Sequence, residues 1–89
     1  MSKDFIVVVV NKRREEAVEV QKILTEWGCY IRTRLGMHDD VLNQCSNVGN
    51  IFLELAGEEE NDKKHEDLEQ ELNNIEGVTA KLITLDVEE

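Results

Sequence analysis

Proline is absent, and no stretch rich in serine and glycine could serve as a linker, so nothing divides the 89 residues into two units. A single domain spanning 1–89, built on one core, is the economical reading. Long apolar runs are missing too. The longest, Phe5 to Val10, has six residues against the roughly 20 needed to span a bilayer, and Met1-Ser2-Lys3-Asp4 does not lead into a signal-peptide hydrophobic region. A soluble, cytoplasmic protein is expected. Basic residues are scarce: ten Lys and Arg stand against twenty Asp and Glu, for a formal charge of −10. Such a surface repels phosphate backbones and anionic headgroups, so neither direct nucleic-acid binding nor membrane binding is expected. The two cysteines, Cys29 and Cys45, lie sixteen positions apart with no CxxC pair, which fits neither a disulfide framework nor a redox motif. Glycines at 28, 36, 49, 57 and 77 punctuate the chain without any phosphate-binding spacing.

What is present is a regular succession of elements. Phe5 to Val10 is a continuous, largely β-branched run, the pattern of a strand buried on both faces. Ala17, Val20, Ile23, Leu24 and Trp27 recur at helical spacing between Arg13 and Trp27, and Gly28 ends that helix. Cys29 to Gly36 alternates, with Cys29, Ile31, Thr33 and Leu35 on one face and Tyr30, Arg32 and Arg34 on the other. Asn50 to Ala56 alternates again. An antiparallel register that sets Leu35 against Ile51 also sets Arg32 against Glu54. Residues 58–64 are charged and read as a solvated loop; Leu68, Leu72 and Ile75 then mark a second helix stopped by Gly77, and Val78 to Val87 supplies the last strand.

The order β-α-β-β-α-β predicts an α+β, ferredoxin-like sandwich: a four-stranded antiparallel sheet with two helices on one face. Its other face is left bare although the first strand is apolar on both sides, and a second copy of the chain across a two-fold axis is the simplest cover. Between the second and third strands lies the segment Met37 to Gly49, thirteen residues that hold His38 and Cys45. Connections longer than about 12 residues usually either carry function or are disordered, so this is the place to look for a site.

With these residues placed, the chain resembles the ACT-like domains, and in particular the small stand-alone iron-only hydrogenase system regulators. Arg34-Leu-Gly36 followed by Met37-His38, Gly49-Asn-Ile-Phe-Leu-Glu-Leu55, and Leu72-Asn-Asn-Ile-Glu-Gly-Val78 followed by Lys81 carry the resemblance over nearly the whole chain. It implies a dimeric, ligand-sensing regulatory module without catalysis. ACT domains that take amino acids generally do so at the turn after the first strand, often with a glycine there; here that turn is Asn11-Lys12-Arg13-Arg14, bulky and basic. The chain is similar in fold, but not in ligand spacing, to the metal-binding domain of the nickel-responsive repressor.

Three candidate sites follow. His38 and Cys45, with Asp39 and Asp40 nearby, offer imidazole and thiolate suited to zinc, nickel or iron, and a two-fold dimer would supply the two further ligands a closed site needs. The plainer reading is a loop histidine and a small packed cysteine. Asn11 and Arg13, with Lys12 and Arg14, stand at the start of the first helix, where free N–H groups and the helix dipole favour an anion. The plainer reading is solvated side chains paired with local glutamates. Arg32 and Arg34 beside Tyr30 could hold a carboxylate on the bare sheet face, with Glu54 as the competing partner and with Ser46 adding a loop hydroxyl. His65 reads as solvated, while Trp27 and Cys29 read as core. The favoured expectation is a homodimeric small-molecule sensor reporting to a regulatory protein partner, its cofactor unknown. The alternatives are a metal sensor or carrier using His38 and Cys45, and a structural protein–protein interaction module.

Overall fold

The computed structural model describes residues 2–10, 14–38, 49–56 and 62–88. Its strands are β1 (Ser2–Val10), β2 (Ile31–His38), β3 (Gly49–Leu55) and β4 (Val78–Asp86), and its helices are α1 (Arg14–Glu26) and α2 (Asp62–Asn73). All neighbouring strands run antiparallel, in the order β2-β3-β1-β4. This is the ferredoxin-like βαββαβ arrangement, with α1 and α2 packed on one face of the sheet.

Period-two alternation decides which side chains meet the helices. On β1 the inward set is Asp4, Ile6, Val8 and Val10, all buried, while Phe5, Val7 and Val9 are only half-buried. The run that reads as two-sided is therefore covered on one side by this chain. Leu53 and Leu55 of β3 and Val78 and Ala80 of β4 extend the buried layer, and Val20, Leu24, Leu68 and Leu72 close it from above. Ala17, though in phase with the apolar stripe of α1, lies at its exposed end. Trp27 packs against the core and its indole N–H donates to Glu71 Oε2 at 2.7 Å, tying the end of α1 to α2.

Two boundaries differ from the expectation. Gly28–Tyr30 forms one turn of 3-10 helix, and Cys29 within it is exposed rather than part of a strand or the core. The turn is held by Tyr30 N–H donating to the Trp27 carbonyl at 2.9 Å, and it delays the start of β2. At the other end β2 continues through Met37 to His38, which pairs with Gly49, so the connection to β3 is residues 39–48 rather than Met37 to Gly49. The added cross-strand pairs shorten the segment that must close without a ladder. After α2, Gly77 takes φ 83°, a left-handed conformation that glycine adopts without steric cost, and the chain turns directly into β4.

β4 is an edge strand, yet part of its edge is not open. Asn73 lies beside it and uses its whole amide: Oδ1 accepts from Ala80 N–H at 2.8 Å and Nδ2 donates to the Ala80 carbonyl at 2.9 Å. Glu69 Oε2 then accepts from Leu82 N–H at 2.6 Å. Two helix side chains thus imitate a fifth strand over half the edge, which blunts it against pairing with other chains. Asn73→Ala removes both of these bonds and a third, weaker one from Nδ2 to the Glu69 carbonyl at 3.1 Å, and a loss of about 1–3 kcal/mol in urea unfolding is expected.

Candidate functional site

The register of β2 against β3 decides what the bare face offers. Ile31 pairs with Leu55, but Thr33, not Arg32, pairs with Glu54; Arg34 then meets Leu53 and Leu35 meets Phe52. Arg32 is the extra residue of a β-bulge, and past it every side chain of β2 changes face. Ile31 packs inward on the core, Thr33 points outward, Arg34 points to the helix layer and Leu35 points outward. The expected pairings of Leu35 with Ile51 and of Arg32 with Glu54 are therefore replaced. Glu54 instead accepts from Thr33 Oγ1 at 3.3 Å and lies 3.7 Å from the ammonium of Lys3.

The two arginines are consequently separated. Arg34 donates to Gln21 Oε1 on α1 and is not on the bare face, while Arg32 stays exposed at the bulge. They do not form one clamp for a carboxylate. What the bare face does carry is apolar: Leu35 is 55% exposed, Phe52 41%, Ile83 37% and Leu85 52%, with half-buried Phe5 and Val7 between them. Val7 has Phe52 on one side and Lys81 on the other; Phe5 has Glu54 and Ile83. These side chains make a continuous oily strip crossed by a few charges at its margins. The pair Leu35–Phe52 sits two positions from Met37–Asn50, close to where the 39–48 connection leaves the sheet.

Of the remaining expected site residues, His38 has its backbone in the β2–β3 ladder. Asn11, Arg13, Cys45 and Ser46 lie outside the described residues, as do Lys12, Asp39 and Asp40. Among the described residues, no group of three or more histidine, cysteine or acidic side chains is placed to hold a metal ion.

A buried polar cluster was not expected. His65 is 3% exposed and Asp4 6%, and His65 Nδ1 and Asp4 Oδ2 share a hydrogen across 2.6 Å. On the other side of the ring Nε2–H donates to the Ala56 carbonyl at 3.0 Å, and Thr84 Oγ1 donates to Asp4 Oδ1 at 2.7 Å. The cluster joins β1, α2, β4 and the residue following β3. Every polar atom of the two side chains has a partner, as burial requires. Both ring nitrogens are engaged within the protein, so the imidazole is a clamp and not an exposed acid or base. The signal for it was in the sequence: Asp4 is in phase with Ile6, Val8 and Val10, and His65 stands three residues before Leu68 and seven before Leu72, on the buried stripe of α2. The polarity of the flanking residues hid it.

No family model matches the chain, and no curated protein matches it. Among solved structures, the uncharacterized protein TM1266 from Thermotoga maritima is similar over 97% of this chain and 100% of its own, at 25% sequence identity and a TM-score of 0.76. The likeness agrees with the α+β, ferredoxin-like architecture built up above. In the described residues, no helix is long and apolar enough to cross a membrane.

Proposed function

We propose that this chain is a regulatory, ACT-like domain that senses a small molecule as a homodimer and carries out no chemistry itself. The observation that supports it is the apolar strip on the sheet face without helices, where Leu35, Phe52, Ile83 and Leu85 stand exposed. Monomeric surfaces rarely keep so many large apolar side chains contiguous, and such patches mark interaction sites. Leu35 and Phe52 adjoin the roots of the 39–48 connection, so a ligand held there would lie against the sheet and bias one subunit arrangement over another. In this reading His38 and Cys45 make the ligand or metal contact, Arg32 holds an anionic group, and a protein partner reads the bound state. Arg34, turned toward α1, is withdrawn from the anion-holding pair.

The test is thermal unfolding in the presence of free amino acids, nucleoside phosphates, Zn²⁺ and Ni²⁺. A ligand present at 100 times its dissociation constant stabilises by about 2.7 kcal/mol, a rise of roughly 10 °C or more for a domain of this size. Substituting alanine at both His38 and Cys45 is expected to abolish that rise while leaving the unliganded melting temperature in place. Retention of the full rise in the double variant would sink the assignment of these two residues. The interaction-module reading is favoured by the same apolar strip. Native mass spectrometry of untagged protein separates them: a bare monomer supports the interaction module, a bare dimer supports the small-molecule sensor, and a dimer that retains metal supports instead the metal sensor using His38 and Cys45.

A further inference from the structure

The edge of β4 is sealed over only part of its length. On β4 the even-numbered residues turn their N–H and C=O away from β1, as the bonds of Ala80 and Leu82 to Asn73 and Glu69 show. Thr84 and Asp86 share that phase but lie beyond the last of these α2 bonds. The same stretch carries Ile83 and Leu85 on the bare face at alternate positions, 37% and 52% exposed, and Val87, just past the end of the strand, is 37% exposed.

We infer that Thr84 to Asp86 is a homodimerisation edge: β4 pairs antiparallel with β4 of a second copy about a two-fold axis at Leu85, giving one continuous eight-stranded sheet. This rests on the homodimer of the proposed function and not on any ligand.

The register follows by elimination. An axis at Thr84 would set Asp86 opposite Leu82, whose N–H is already taken by Glu69. An axis at Asp86 would set two like charges directly against each other. An axis at Leu85 opposes Thr84 to the partner's Asp86 and the reverse, so four backbone hydrogen bonds form and the ladder stops where the sealed half of the edge begins. On the bare face the same register puts Leu85 against the partner's Leu85 and Ile83 against its Val87, an apolar stripe that is complementary to itself. That self-complementarity selects a second copy over an unrelated strand. The α2 side chains act as a stop that fixes how far the two sheets can slide.

Sedimentation equilibrium of the full chain, with two kinds of variant, tests this. Asp86→Pro removes an edge N–H on each copy without touching a bond to β1, so the monomer should keep its circular dichroism while the dimer weakens by roughly one to two orders of magnitude. Independently, Leu85→Cys in a background with Cys29→Ser and Cys45→Ser should oxidise to a covalent dimer. Residues opposed in such a non-hydrogen-bonded pair have Cα atoms about 4.5 Å apart, within the range a disulfide spans. Leu35→Cys in the same background, on the same face but far from β4, should not. A wild-type dimer that survives Asp86→Pro, fails to cross-link at 85 and dissociates with Phe52→Lys would overturn edge pairing and leave the homodimer reading standing. A wild-type monomer would overturn both.

Discussion

Asp4→Ala is expected to lower the unfolding free energy by about 3–5 kcal/mol, because it leaves the buried His65 ring facing an empty position. A domain of 89 residues holds about 4–13 kcal/mol in total, so the variant should sit near the edge of folding at 37 °C. The loss has a specific anatomy. His65 Nδ1 loses the 2.6 Å partner that justified its burial, and the Thr84 hydroxyl loses its acceptor at the same time. Two partners are orphaned by one truncation. Replacing both members of the pair by apolar residues of similar shape, Asp4→Leu with His65→Leu, should recover much of the stability, since desolvation is then no longer demanded of either. The remaining cost of the double variant lies with Ala56, whose carbonyl loses the Nε2–H donor, and with Thr84. Urea unfolding of the two single variants and the double variant gives the coupling directly. Additive losses would show that the two side chains are held independently and would remove the clamp from the account of the fold.

The element order, the helical stripes and the strand alternation were all readable because they depend on short-range periodicity, and the ferredoxin-like architecture follows from them. What escaped is what a period cannot encode. Strict alternation along Cys29 to Gly36 put Arg34 on the bare face and Leu35 on the core, and one extra residue at Arg32 reversed both. A bulge leaves no mark in a pattern of apolar and polar letters when the strand already mixes them. Cys29 was misplaced for a related reason, since a single 3-10 turn shifts the start of β2 by two residues. His65 failed differently. Its neighbours Lys63, Lys64 and Glu66 are exposed, and composition averaged over the segment outweighed its position on the stripe. Of the candidate site, the apolar bare face was foreseen through the first strand, and the charged residues proposed to line it were not brought together. Charged side chains on a strand depend on register to the single residue, whereas an oily face survives a local slip.

Ile6→Ala and Val7→Ala, adjacent substitutions on the same central strand, should differ several-fold in cost. Ile6 is fully buried between the sheet and the helices, with β3 and β4 flanking it. Truncation there removes transferred surface and leaves a cavity that a paired strand cannot collapse to fill, for a loss of about 2–5 kcal/mol. Val7 points the other way, is only half-buried, and has Phe52 and Lys81 beside it. In a monomer its truncation should cost well under half as much, because little surface leaves water there and the gap is open to solvent. Urea unfolding at two protein concentrations gives the comparison a second use. If the bare face is covered by another copy, part of the stability of the native state belongs to association and rises with concentration. The cost of Val7→Ala should then grow toward that of Ile6→Ala as the protein is concentrated, since dilution uncovers the face and concentration closes it. A Val7→Ala cost that is small and independent of concentration would mean that the outward half of Phe5 to Val10 faces water in the working protein, and that edge pairing at β4 leaves the middle of the sheet open.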